Sequence, residues 1–199
     1  MIQQLMIRLW NGWDMIYYQC TRLTYVDKGK NIFRVAVKQY RGEPLETSDG
    51  YQLQPGDLYA QLHLHNVLLA KLIRETSRQE FAWAVTLKKC IHDSLPQLAQ
   101  FIEQHPHSRQ IRVIMGTTCL HRGATRLGFE IADIPYTRYK FWKSLGIRII
   151  FLLCHPSGWK EIFKRKQDFI PKRVFISKEK LKHFLGSEKL TNGQNTDSD

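Results

Sequence analysis

The sequence predicts an α+β domain: a small mixed or antiparallel sheet with an N-terminal strand meander, packed against several helices. Three observations lead there. Apolar residues alternate with polar ones from Ile32 to Lys38 and again from Leu58 to His65, as half-buried strands require. A helical middle with three- and four-residue apolar spacing separates these from later short strands, so the pattern is not the strict alternation of a doubly wound sheet. Hydrophobic residues make up 43% of the 199 positions, enough to build a core and too many for a disordered chain.

The elements follow in order. Residues from Met1 to Cys20 carry an apolar stripe through Leu5, Leu9, Trp13 and Ile16, a helix that Gly12 weakens in the middle. Phe33, Val35 and Val37 then face one side of a strand. Arg41-Gly42 marks a turn, Asp49-Gly50 has the signature of a tight hairpin, and Pro55-Gly56-Asp57 turns the chain into Leu58–Leu64. Asn66 can cap a helix from Val67, whose pattern breaks near Glu75 to Gln79. Ser94 and Pro96 predict a fresh helix start near residue 95. A strand is expected from Gln110 to Met115, ending at Gly116, with a loop or short helix over 117–129. A basic, aromatic helix from Tyr136 to Leu145 and a buried strand from Ile147 to Cys154 come next. Lys172 to Ile176 reads as an edge strand, and Ser177 caps a last helix to Leu185. One domain over residues 1–186 and a disordered polar tail over 187–199 are expected.

Composition narrows the function classes. Four cysteines lie far apart with no CxxC pair, which argues against a zinc ribbon or disulfide framework and for buried thiols in a reducing compartment. No secretory signal or membrane-spanning run is visible, so a cytoplasmic chain is expected, with peripheral contact at the inner membrane face as an option. Lys and Arg number 30 against 18 Asp and Glu, an excess that favours anionic partners: nucleic acid, an anionic membrane surface or a phosphorylated ligand. No GxGxxG, P-loop or HExxH pattern calls for a cofactor.

Three segments could carry chemistry. In Leu62-His63-Leu64-His65-Asn66, strand geometry projects both imidazoles from one surface, beside Tyr59 and Gln61. His63 and His65 are therefore candidate acid–base residues, since imidazole titrates near neutral pH. A metal would need a third ligand from Asp57, His121 or His155. The plainer reading has His65 and Asn66 satisfying backbone groups while His63 packs on the sheet. The second segment is Gly116-Thr117-Thr118-Cys119-Leu120-His121-Arg122-Gly123, followed by Arg126. Hydroxyls and amides after a strand, with arginines nearby, suit an anion, so Thr117, Thr118, His121, Arg122 and Arg126 are candidate ligand-binding residues. Read as a turn, the same stretch does nothing. The third is the basic run from Lys160 to Lys182, with Trp159, Phe163 and Phe169 interleaved. It fits an anionic bilayer or nucleic acid, or simply a solvated face.

The ordered set of phrases resembles the YkoP-like family, largely uncharacterised proteins of Firmicutes. The matching pieces include Cys20-Thr21-Arg22-Leu23, Ile32-Phe33-Arg34-Val35, Asp49-Gly50, Leu62-His63-Leu64-His65-Asn66, Gly116-Thr117-Thr118 and Leu127-Gly128-Phe129. Related domains look to be attached behind polysaccharide deacetylases, which implies work on cell-envelope polysaccharide. This sequence lacks that enzyme's metal-binding motif. The reading is then a non-catalytic accessory or binding module for an anionic envelope precursor or membrane surface. The alternatives are a small transferase or hydrolase using His63 or His65, and a nucleic-acid-binding protein.

Overall fold

One sheet with two differently clothed faces organises the structure, and side-chain alternation decides which residue serves which face. The computed structural model describes residues 23–65, 68, 80–118, 121–134 and 170–194. In chain order these form β1 (Thr24–Tyr25), β2 (Phe33–Gln39), β3 (Leu45–Glu46), β4 (Gln52–Leu53) and β5 (Leu58–Leu64). Then come α1 (Glu80–Gln104), β6 (Val113–Thr118), β7 (Glu130–Ala132), β8 (Lys172–Ser177) and α2 (Lys178–Gln194). Six strands make a mixed sheet in the order β1-β2-β5-β6-β8-β7, and β3 with β4 makes a separate hairpin. Neighbours pair antiparallel except β5 with β6. A parallel pair needs a long crossover, and α1 lies within it.

Ala60 of β5, Phe33 and Val35 of β2, Ile114 of β6, and Val174 and Ile176 of β8 share one face. Leu95, Leu98 and Ile102 of α1 and Leu181 of α2 cover it, all four shut off from solvent. The opposite face carries a smaller core of Tyr40, Leu53, Val113, Met115 and Phe175, with Tyr51 of the hairpin packed against it. The α+β class and mixed sheet are as the sequence predicts.

Asn31 ties the two layers together. Fully buried, it donates from Nδ2 to Ser94 O (3.0 Å) and to Gln97 Oε1 (2.9 Å), while its Oδ1 accepts from the Phe33 amide (2.8 Å). The Ile32 amide donates to Ser94 Oγ at 3.4 Å. The first residues of β2 are thereby fastened to the middle of α1.

Several elements differ from the sequence reading. Ser94 and Pro96 do not begin a helix: α1 runs unbroken through Pro96. A helix-interior proline costs about 3 kcal/mol, but burying Leu95, Leu98 and Ile102 returns about 1.5–3 kcal/mol each. Gly116 does not end β6, which continues to Thr118. A Cβ there would lie 3.4 Å from Leu62 O, so glycine serves a close approach between strands rather than a stop. β8 is not an edge strand but lies between β6 and β7, and the three-residue β7 is too short for any periodicity to reveal it. The expected meander is a direct β2–β5 pair with the β3–β4 hairpin as an excursion between them. α2 passes Leu185 and Gly186 to end at Gln194. The helices expected at Met1–Cys20, from Val67 and over Tyr136–Leu145, and the strand at Ile147–Cys154, fall outside the described residues, Leu68 and the start of α1 excepted.

The hairpin tip is clasped to the far side of the sheet. Ser48 donates its amide to both Glu130 carboxylate oxygens (3.1 and 3.0 Å) and its hydroxyl to Oε1 (2.9 Å). Lys180 Nζ reaches both Ser48 Oγ (2.7 Å) and Glu130 (3.0 Å). Ser177 Oγ donates to Asp49 Oδ2 at 2.6 Å and accepts from the Lys180 amide at 3.0 Å, which caps α2 as its position in the sequence predicts. Burial alone would raise the Asp49 pKa, yet hydrogen bonds from Ser177 and Thr47 hold it below its ordinary 3.8.

Two outcomes follow. Asn31→Ala strands buried partners on β2 and α1 and should cost about 2–3 kcal/mol, seen as a fall in Tm of roughly 5–10 °C. A wild-type Tm in this variant would show that the clamp contributes nothing. Because the folded Asp49 pKa is depressed, its stabilisation is complete above 3.8 and lost as pH falls through the lower folded value. The urea-midpoint gap between wild type and Asp49→Asn should accordingly shrink as the pH is taken below 3.8. A pH-independent gap is the contrary result.

Candidate functional site

The face away from the helices contains a hollow of about 510 Å³, within the ordinary range for small-molecule sites. Its walls come from alternation and register. Lys38 of β2 stands opposite Tyr59 of β5. Two residues on, Gln61 lies beside Met115 in the parallel ladder. Thr117 of β6 is paired with Arg173 of β8. Tyr40, Arg41 and Gly42, leaving β2, close one end.

Tyr40 and Arg173 join opposite sides of this hollow. Arg173 Nη1 donates to the Tyr40 hydroxyl at 3.0 Å, and that hydroxyl donates to Glu43 O at 2.7 Å. Two strands, β5 and β6, separate their own strands in the sheet, and neighbouring strands are about 4.8 Å apart. Tyr40 stands just beyond the end of β2, and two long side chains span the distance. The guanidinium carbon of Arg173 lies 5.8 Å from the Tyr40 ring centroid, and the Tyr40 and Tyr59 rings stand edge to face at 5.8 Å. Gly42 permits the arrangement, since a Cβ there would fall 2.5 Å from the Tyr40 hydroxyl oxygen.

The charge is one-sided. Lys38, Arg41 and Arg173 line the hollow, and no carboxylate, imidazole or thiol is among its described lining residues. Asp133, nearby in sequence, pairs instead with Lys172 at 3.4 Å. The neutral lining includes the half-buried Thr117 and Gln61, whose shielded Oε1 has no hydrogen-bond partner. Such a surface can hold an anion by charge-assisted hydrogen bonds.

The residues singled out from the sequence distribute as follows. Thr117 lines the hollow, but Thr118, the next residue on β6, turns to the helix-covered face opposite Lys172. His63 shares the face of Gln61 and stands opposite Arg34, which is 2% exposed. The Arg34 guanidinium lies 4.6 Å over the Tyr25 ring, and that ring meets His65 edge-on at 5.4 Å. The His65 amide donates to Ile32 O at 2.7 Å, which carries the β2–β5 pairing one residue further. His63 and His65 thus belong to a packed group at the end of β5, outside the hollow's lining.

His121 and Arg126 sit on short 3-10 turns, His121–Gly123 and Thr125–Leu127, rooted by Ala124 and Leu127 in the helix-side core. His121 is half-buried, Arg126 is exposed, and the Arg122 side chain lies outside the described residues, as does Cys119. Much of the basic run is equally outside them. Within its described part, Lys178 and Lys182 pair with Glu103 and Lys180 with Glu130, while Arg173 faces the hollow.

Sequence reasoning did not single out Lys38, Arg41 or Arg173 as a group. The available signal was the polar side of two alternating strands, which brings Lys38, Tyr59 and Gln61 together once the strands pair. Among the described residues no three of His, Cys, Asp and Glu converge to hold a metal, and no helix is long and apolar enough to cross a membrane. Cys90 on α1 is half-buried, and burial pushes its thiol pKa up, which keeps it protonated at neutral pH.

Tyr40→Phe removes a hydroxyl bonded both to Arg173 and to Glu43 O. It should cost about 1–2 kcal/mol by urea denaturation. An unchanged midpoint would mean that the hydroxyl is not held as described.

A family model for the YkoP domain matches residues 3–185. A protein of Bacillus subtilis (strain 168) described as "Uncharacterized protein YkoP" is 31% identical over 179 residues, covering 88% of this chain and 93% of that protein. No solved structure matches.

Proposed function

The chain belongs to the YkoP-domain family, and for it we propose a non-catalytic binding module that captures a small anionic ligand in the concave face of its sheet. One observation carries this reading: three cationic side chains, Lys38, Arg41 and Arg173, line one hollow. Like charges gathered in a concavity raise the local positive potential and draw anions in. The Arg173 guanidinium, aligned by the Tyr40 hydroxyl, is prepared to engage a phosphate or carboxylate with its remaining donors.

Binding is favoured over acid–base chemistry by the same lining, which offers hydroxyls, an amide and cations but no described group that titrates near neutrality. A phosphorylated envelope precursor is the ligand we propose, as the family resemblance noted in the sequence implies. The overall excess of 30 basic over 18 acidic residues would assist its approach.

Calorimetric titration of the full chain with inorganic pyrophosphate tests the reading. Arg173→Gln should weaken binding about tenfold, the effect of losing one charge-assisted contact of about 1.4 kcal/mol. Raising salt should weaken it further. Absence of pyrophosphate binding at low salt would overturn the proposal. So would retention on anionic vesicles or single-stranded DNA that excess pyrophosphate fails to compete, because the anion site would then lie elsewhere.

A further inference from the structure

The wall of the hollow that holds Tyr40, Arg41 and Gly42 is also the root of the β3–β4 hairpin. The chain leaves the main sheet at the end of β2 and returns at the start of β5, and β3 and β4 form a sheet of their own. At the root, the Tyr40 amide donates to Asp57 O and the Gly56 amide to Tyr40 O, both at 2.8 Å. In the middle, Leu53 is wholly buried in the smaller core beside Tyr40, Val113, Met115 and Phe175. The tip is held by the contacts of Ser48 with Glu130 and Lys180 and by that of Asp49 with Ser177.

These anchors differ in how easily they open. Leu53 can leave only by exposing apolar surface. Ser48 and Asp49 are exposed, and water competes for their bonds, so each tip contact contributes little by itself. The tip is therefore the end that comes loose first. One pair of hydrogen bonds carries that motion to the hollow. Glu43, on the arm leading to β3, accepts from the Tyr40 hydroxyl (2.7 Å), which accepts in turn from Arg173 Nη1 (3.0 Å). Tyr40 is 4% exposed and acts on Arg173, not on a ligand. When the arm lifts, the hydroxyl loses its acceptor, and the guanidinium loses the partner that fixes its direction.

We propose that the β3–β4 hairpin is a strap: fastened at its tip it holds Tyr40 and Arg173 in the anion-binding arrangement, and released it lets them go. This rests on the anion-binding reading above and adds the control of that site by Ser48, Asp49 and Glu130, which are not among the hollow's described lining residues. Charge alone predicts the opposite sign. Glu130 stands opposite Phe175 on β8, two residues from Arg173. Removing its carboxylate raises the positive potential near the hollow and by itself strengthens anion binding. The strap predicts weakening.

Calorimetric titration of the full chain with inorganic pyrophosphate separates the two. Glu130→Ala and Asp49→Ala should each weaken binding about fivefold, the lower end of ordinary coupling between sites. Glu46→Ala removes an exposed carboxylate from the same hairpin outside the clasp and should bind at least as tightly as wild type. Circular dichroism and thermal melting establish that each variant is folded. Coupling is reciprocal, so saturating pyrophosphate should also slow wild-type hydrogen exchange about fivefold at the Thr47 amide, which is bonded to Tyr51 O across the tip. Should Glu130→Ala fail to fold, Asp49→Ala and the wild-type exchange rates decide. Equal or tighter pyrophosphate binding by either folded clasp variant would overturn the strap and leave the anion site standing. Thr47 exchange unaltered by bound pyrophosphate would do the same. Failure of the wild type to bind pyrophosphate would remove the anion site and the strap together.

Discussion

The placement of Asn31 is the constraint on which the rest of the molecule depends. Its side chain satisfies the first amide of β2 and grips two points on α1, and the Ile32 amide adds a third bond to α1, so the strand cannot slide without breaking three hydrogen bonds. Strand register has a period of two, and a shift of one residue exchanges the two faces of the sheet. Fixing Phe33 therefore fixes which side of β2 carries Val35 and which carries Lys38. Through the β2–β5 ladder it also fixes the direction of Tyr59 and Gln61. A core asparagine thus sets the side on which the polar hollow opens.

The two faces express different priorities. The helix-covered side is filled by aliphatic residues with almost no exposure, and its burial supplies most of the stability. The other side combines a smaller aromatic core with cations, hydroxyls and an unsatisfied amide. A sheet needing stability alone would favour apolar residues at those positions. Keeping them polar is a cost that folding tolerates because the first face is well packed, and functional sites are where such departures from local consistency are expected.

Much of the architecture was legible because it rests on short-range physics. Alternation exposed β2 and β5, Asp49-Gly50 announced the hairpin, and Ser177 signalled the start of α2. The failures share a cause. Ser94 and Pro96 imitate a helix start, and only the long-range burial of Leu95, Leu98 and Ile102 explains why the helix continues. Gly116 imitates a stop until the nearness of Leu62 is known. The candidate site was less legible still. Thr117 was singled out, but Lys38, Gln61 and Arg173 come from strands distant in sequence, united by a parallel pair and by β8 entering the sheet's interior. No local pattern encodes that union. The histidines drew attention because imidazole is chemically versatile, whereas here they pack beside Arg34 and Tyr25.

The Ser177 hydroxyl gives its proton to the hairpin tip and offers its lone pair to the first turn of α2. One atom group therefore belongs to two supports at once. Loosening of either would weaken the other, so departure of the hairpin and fraying of the helix become a single cooperative event. The β3–β4 excursion, though far away along the chain, would open and close in step with the amino end of the final helix.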